Sequence, residues 1–199
     1  MHHRLFLTLI LISWISMFFG TSYVQIMPLF SDILQSAERG YGLLISATGV
    51  GSIIGNLFIS RYQQSRKLGI MMLSSAAMAP CSLIGFSLIT WILAGTVGAF
   101  WLACCFAILT SAFSSVFLVS SMTVLQIKVP DAFRGRVMGI HSITFSMISL
   151  GGLAAGALAA QFSAPVAVAT GGLVVLSSVI WVVFKISEIA KIDLNLQSK

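Results

Sequence analysis

LGIMMLSSAAMAPCSLIGFSLITWILAGTVGAFWLACCFAILTSAFSSVFLVSSMTVLQI, residues 68–127, runs for 60 residues without one Asp, Glu, Lys or Arg. A helix rises about 1.5 Å per residue and the hydrocarbon core of a bilayer is about 30 Å thick, so about 20 residues cross it once. A stretch this long therefore holds two crossings and the turn between them. The turn falls near Thr90 to Gly98, where Gly95 and Gly98 weaken helix.

The flanking sequence repeats the pattern. All charges lie in five short windows, 1–4, 32–39, 61–67, 128–136 and 185–199. Charge-free stretches 5–31 and 40–60 hold one span each, and 137–184 holds two, divided at Gln161 to Pro165, where the proline suits the first turn of the next helix. Six spans are predicted, at about 5–29, 41–60, 68–89, 98–126, 137–160 and 165–184, in a single bundle over 1–199 that ends in a tail at 185–199. Composition agrees: 58% of residues are hydrophobic, 8% are charged and the mean hydropathy is +1.02, against roughly 25% charged in a soluble domain. The fold class is all-α, because lipid leaves no partner for an open sheet edge and the alternating ten-residue pattern of a barrel is missing.

Basic residues orient the chain. With six spans both termini share a side, which holds Arg4, Arg61, Arg66, Lys67, Lys128, Arg134, Arg136, Lys185, Lys191 and Lys199, against Arg39 alone on the other. The positive-inside rule makes that side, both termini and the 185–199 tail cytoplasmic, in a plasma membrane of the bacterial inner-membrane type. The net charge of +6 and pI near 9.7 record this asymmetry. They do not point to nucleic acid, since no basic face interleaved with aromatics exists. The first apolar stretch is long and lacks a small-x-small cleavage site before a polar chain, so it is read as a retained span.

Intramembrane chemistry is sparse. No Asp, Glu, Lys or Arg lies within a predicted span, so the chain carries no charge relay alone. His141, about one turn into the fifth span, is the one readily titratable group there, read either as a proton-responsive or substrate-contacting side chain or as one bonded to a backbone carbonyl or headgroup water. Cys81, Cys104 and Cys105 read as apolar filler. His2 and His3 are too few for a metal tract, and no metal or cofactor site is expected. Gly85-Phe86-Ser87 lacks the following glycine of an intramembrane serine protease, and no nucleophile, base and ligand set converges, so an enzyme is not expected.

Small residues say more. Ala47, Gly51 and Gly55 recur every four residues in the second span, and Gly152 and Gly156 do so in the fifth. That spacing puts each set on one helix face, where missing side chains let a partner helix approach. Their corresponding positions in two three-span halves fit a 3+3 inverted repeat.

Two strings, Gly40-Tyr41-Gly42-Leu43-Leu44-Ile45-Ser46-Ala47-Thr48-Gly49-Val50-Gly51-Ser52-Ile53-Ile54-Gly55 and Leu125-Gln126-Ile127-Lys128-Val129-Pro130-Asp131-Ala132-Phe133-Arg134-Gly135-Arg136-Val137-Met138-Gly139, resemble the major facilitator superfamily. More narrowly they resemble the C-terminal six spans of its multidrug and siderophore exporters, the enterobactin and macrolide type. The resemblance covers essentially the whole chain and implies helices seven to twelve of a twelve-helix secondary-active transporter of small amphipathic organic molecules. The loop at Arg61, Arg66 and Lys67 resembles the superfamily's Gly-x-x-x-Asp-Arg-x-Gly-Arg-Arg loop, but the acidic position reads Ile59 or Ser60 and the spacing from Gly55 is stretched by a residue. Asp131, Arg134, Gly135 and Arg136 form the second cytoplasmic loop; the resemblance implies a gating role for these loops, and the cations Arg61, Arg66 and Lys67 read equally as plain topology signals.

The resemblance also implies that the first and fourth spans line the substrate cavity. Helical spacing independently aligns Trp14, Phe18, Thr21, Ser22 and Gln25 on one stripe and Ser111, Ser114, Ser115, Leu118 and Ser121 on another. Pro80 should kink the third span. In the family the second and fifth spans face the other half, so the glycine faces are expected to pack against helices absent from this chain. The expected partners are thus the lipid bilayer, a small-molecule substrate, and either a second six-helix half or a second copy in a parallel homodimer. A fragment of a split or truncated gene, or a six-span remnant or assembly subunit that only binds a membrane partner, are the alternatives.

Overall fold

A computed structural model of the protein describes residues 2–62, 68–129 and 131–185, all of them in helices or the short turns joining them. Six helical spans are long and apolar enough to cross a bilayer: Thr8–Ile33, Arg39–Tyr62, Leu68–Ile92, Gly98–Ile127, Gly135–Gln161 and Ala164–Val183. The second, third, fourth and sixth are each one helix, α3 (Ala37–Tyr62), α4 (Leu68–Ile92), α5 (Val97–Lys128) and α8 (Ala164–Lys185). The third stays continuous although Pro80 lies inside it.

The first and fifth spans are interrupted. The first runs as α1 (His2–Ile15), a π-helical turn (Ser16–Gly20), a 3₁₀ stretch (Ser22–Ile26) and α2 (Met27–Ile33). Thr21 N–H donates to the Ser16 carbonyl at 3.1 Å, five residues back, and Val24 N–H to Thr21 at 3.2 Å, three back. The ladder thus widens and then tightens at mid-span, where Gly20, Thr21 and Ser22 supply no bulky side chain to hold a regular helix. The fifth runs as α6 (Asp131–Ser142), a 3₁₀ turn (Ile143–Phe145) and α7 (Ser146–Gln161). Turns between spans follow local chemistry: Gly95 takes φ +80 after α4, and Thr96 Oγ1 caps α5 by accepting from Ala99 N–H at 3.3 Å.

α3 packs along α5, α5 along α4, α4 along α8, and α7 and α8 both pack on the first span. Exchanging first with fourth, second with fifth and third with sixth turns these neighbours into themselves, as a 3+3 inverted repeat requires, while the further packing of α7 on α8 has no comparable match between α3 and α4. Two apolar cores fill the bundle. One, around Met27, Phe30, Leu44, Phe86 and Ala103, lies toward the end carrying Arg39; the other, around Leu9, Ile59, Leu68, Met72, Leu125 and Val179, lies toward the basic end that carries Arg61 and Arg136. Phe30 and Phe86 meet edge to face with centroids 4.9 Å apart, and Ser87 Oγ donates to the Pro165 carbonyl at 2.5 Å, tying α4 to the start of α8. Trp91, Trp101 and Phe162 stand exposed around the Arg39 end, as aromatic anchors do at a membrane interface.

Candidate functional site

Where the two cores separate, the broken first span meets α4, α5 and α8 around a cavity of about 20 Å³, room for roughly one water molecule. Ser16, Gly20 and Thr21 line it from the first span, Ala76 and Pro80 from α4, and Ser114 and Phe117 from α5. A proline lacks an N–H, so the carbonyl of Ala76, four residues before Pro80, has no helical donor there. Of the two stripes read from the sequence, Thr21 and Ser114 are the pair that this cavity brings together. It is far too small for an organic solute, which takes a pocket of several hundred Å³.

The other stripe residues divide between packing and exposure. Ser111 Oγ donates to the Thr48 carbonyl of α3 at 2.6 Å, and Ser13 and Ser121 hydroxyls pair at 3.2 Å across the first and fourth spans. Ser22 is buried and lies 3.4 Å from the Phe19 carbonyl, while Thr21 Oγ1 donates to the Met17 carbonyl at 3.0 Å. Trp14, Phe18, Ser114, Ser115 and Leu118 are half-buried and Gln25 is exposed. Gln25 lies along α7, its Cγ 2.6 Å from where a Cβ on Gly152 would stand.

Gly51, Gly55 and Gly152 pack inside the chain, which corrects the expectation that their faces await helices absent from it. A Cβ on Gly51 would collide with the Ile108 carbonyl oxygen of α5, and one on Gly55 with that of Ala112. Ala47 is buried on the same face. In the fifth span Gly152 meets Gln25, but Gly156 faces open space, with nothing within 4 Å of an added Cβ. The residue that Gly156 was expected to be is Gly151, whose added Cβ would collide with the Phe18 carbonyl oxygen. Gly171 of α8 approaches Phe19 in the same way, its Cβ position 2.7 Å from the carbonyl oxygen. Glycine Cα against a neighbour's carbonyl is therefore the shared device: α3 uses it on the fourth span, and α7 and α8 use it on the first. Gly151-x-x-x-Ala155 has the four-residue spacing of the other sets, and that was the signal for it.

Of the gating residues, Arg61 ends α3 exposed, and Gly135 and Arg136 are exposed in α6, with open space around Gly135. Asp131 and Arg134 belong to the first turn of α6. Arg66, Lys67 and the tail 186–199 lie outside the described residues. His141 is buried, with 2% of its surface exposed, and neither ring nitrogen has a hydrogen-bond partner among the described residues. Thr144, one turn on and fully buried with its Oγ1 likewise unpartnered, has no counterpart in the sequence reading.

A family model described as the Major Facilitator Superfamily matches residues 9–195. No curated protein and no solved structure matches the chain. The model spans all six membrane helices, and their neighbour pattern repeats three on three. The chain is a multi-pass membrane protein of a family whose general activity is transport, and it belongs to the major facilitator superfamily.

Proposed function

We propose that the chain acts as the C-terminal six-helix half of a secondary-active exporter of small amphipathic organic molecules, working by alternating access against a second six-helix body. The observation that carries this reading is the outer surface of the second and fifth spans. Only 28% and 11% of their apolar windows are buried, against 50% for the third span. On α3 the face opposite Gly51 and Gly55 carries Gly42, Ser46, Gly49, Asn56 and Ser60, all exposed. On the fifth span the face opposite Gly151 carries exposed Ser142, Ser146, Ser149 and Ala160, with the open Gly156 among them. Small and hydrogen-bonding residues suit another helix at close range better than they suit lipid tails.

A six-helix body whose central hollow holds about one water offers a single wall of a solute-sized cavity. The second body, a separately encoded half or a second copy related by an axis along the membrane normal, would supply the facing wall, with Gln25 and the half-buried Phe18 and Ser115 presented to it. Coupling carboxylates would come from that body, since Asp and Glu occur in this chain only at 32, 38, 131, 188 and 193. The basic end is taken as cytoplasmic in an inner membrane, with the tail 185–199 on that side.

The test is ethidium accumulation in bacteria lacking their own efflux pumps and expressing the chain, with Ser46→Trp and Ser149→Trp as variants bulky on the outward faces. The wild type should lower accumulation; the variants should abolish that effect while reaching the membrane in normal amount. Accumulation equal to that of an empty vector would refute an exporter built from two copies of the chain. Orientation is read separately: an impermeant maleimide added to whole cells should label Arg39→Cys and spare Arg61→Cys.

A further inference from the structure

The exposed arcs of the second and fifth spans each divide into two strips of different chemistry. On α3, Leu43, Val50, Ile54 and Leu57 are exposed together, bulky and apolar as lipid-facing residues are. One position earlier around the helix runs a second exposed strip, Gly42, Ser46, Gly49, Ile53, Asn56 and Ser60. The fifth span divides alike. Ile140, Ile143 and Leu150 are exposed on one strip; on the other Ser142, Ser146, Ser149, Leu153 and Ala160 are exposed and Gly156 faces open space. Hydrocarbon gains nothing from small residues and cannot hydrogen-bond the Asn56 amide, whereas a facing helix can do both.

The two second strips have the same spacing. From Gly42 to Ser60 and from Ser142 to Ala160 the steps are four, three, four, three and four residues, with the 3₁₀ turn Ile143–Phe145 inside the step between Ser142 and Ser146. Alternating fours and threes are the seam of helices that pack along their length at about 20°. α3 runs toward the basic end and the fifth span runs away from it, so the strips can meet only antiparallel, and this order of steps reads the same in both directions. When Gly49 faces Leu153, Ile53 faces Ser149, Asn56 faces Ser146 and Ser46 faces Gly156. Leu153 and Ile53, the large residues that protrude from the strips at 74% and 60% exposure, then each meet a small one, and the Asn56 amide can donate to the Ser146 hydroxyl.

Within one chain these strips do not meet. α4 and α8 pack on each other, while α3 and the fifth span each bear on the first and fourth spans without packing together in that way. A two-fold axis along the membrane normal, placed between α3 and the fifth span, sets each against its counterpart in a second copy. We propose that two copies of this chain pair in this way, α3 of each packed antiparallel on the fifth span of the other. The fit selects a second copy as the occupant, because both complementary strips belong to this one sequence. This pairing names the second body of the transport reading and rests on that reading.

The test is cross-linking in bacterial membranes between two differently tagged full-length copies, together with the fraction of dimer in liposomes. Asn56→Cys in one copy and Ser146→Cys in the other should cross-link well above the wild-type pair, whose native cysteines set the background, and Leu57→Cys with Leu150→Cys should stay at that background. Gly49→Leu adds a side chain where its own chain leaves open space, so the monomer should stay folded while dimerisation weakens about tenfold from the clash with Leu153 of the other copy. Leu153→Gly in the same chain should restore the dimer. The pairing is overturned if the wild type is monomeric, if Asn56→Cys cross-links more with itself than with Ser146→Cys, if the Leu57→Cys and Leu150→Cys pair cross-links equally, or if Leu153→Gly fails to rescue folded Gly49→Leu. Ethidium accumulation separates the two claims: a dimer that obeys the size swap without lowering accumulation overturns transport by the pair and upholds the pairing, whereas efflux that persists when Gly49→Leu has removed the dimer overturns this assignment of the second body and leaves the exporter reading standing.

Discussion

The first and fourth spans are counterparts in the inverted repeat, yet one is broken and the other whole. The fourth is a single α-helix, Val97–Lys128, whose serines lie along an unbroken ladder. The first changes from α to π to 3₁₀ and back between Ser16 and Met27. Both receive glycines from their neighbours, but on the fourth span Gly51 and Gly55 meet a regular surface, one turn apart, at Ile108 and Ala112. On the first span Gly151 and Gly171 come from two different helices onto the consecutive carbonyls of Phe18 and Phe19, inside the π turn. The same contact chemistry therefore builds a stiff rail on one side of the bundle and clamps a soft segment on the other. Gly20, Thr21 and Ser22 make the difference, since residues 99–127 of the fourth span contain neither Gly nor Pro.

The clamps offer the largest perturbation. Gly51→Leu, Gly55→Leu and Gly151→Leu each drive a side chain into a backbone carbonyl and should cost about 3 kcal/mol or more, seen as loss of folded protein in mild detergent. Gly156→Leu points into open space and should change stability by no more than about 0.5 kcal/mol. Equal damage at Gly156 and Gly151 would erase the distinction between the inner and outer faces of the fifth span.

Hydrogen exchange sharpens the comparison next. Amides at 17–26 should exchange about tenfold faster than those at 107–116, because a helix with a widened and a tightened turn opens locally at lower cost. Equal protection would make the first span as rigid as its counterpart. Smaller still, Ser111→Ala removes the bond to Thr48 and Ser87→Ala the bond to Pro165, each expected to cost about 1 kcal/mol in thermal unfolding. Least of all, Thr21→Val removes a hydroxyl bonded within its own span and should cost about 0.6 kcal/mol, the average for polar pairs between membrane helices. A larger loss there would mean that the hydroxyl holds the π turn together.

Much of this architecture was legible because it follows from periodicity in charge. Gaps between charged windows are set by bilayer thickness, so six spans and their order could be counted from residues such as Arg61, Lys128 and Arg136 without any knowledge of packing. Ala47, Gly51, Gly55 and Gly152 were legible as close-contact positions for a similar reason: a four-residue repeat of missing side chains has few other uses. What each glycine touches was not legible, and the expectation that they met helices outside the chain failed on that point. The hydroxyl stripes are more instructive. Ser111 and Ser114 lie less than one turn apart on the same helix, yet one bonds the α3 backbone and the other lines the central cavity. A helical wheel gives direction around an axis, not which neighbour occupies that direction.

By itself the sequence determined that the chain is helical, that it has six helices long and apolar enough to cross a membrane, and that its charges are confined to the segments between and around them, because each follows from the cost of placing charge or unpaired backbone in hydrocarbon. Only the tertiary structure decided which glycine faces turn inward, where the first span breaks, and which buried polar atoms, such as those of His141 and Thr144, are left without partners among the described residues. Those depend on contacts between residues far apart in the chain, and such contacts are set by the fit of whole helices, which no local spacing encodes.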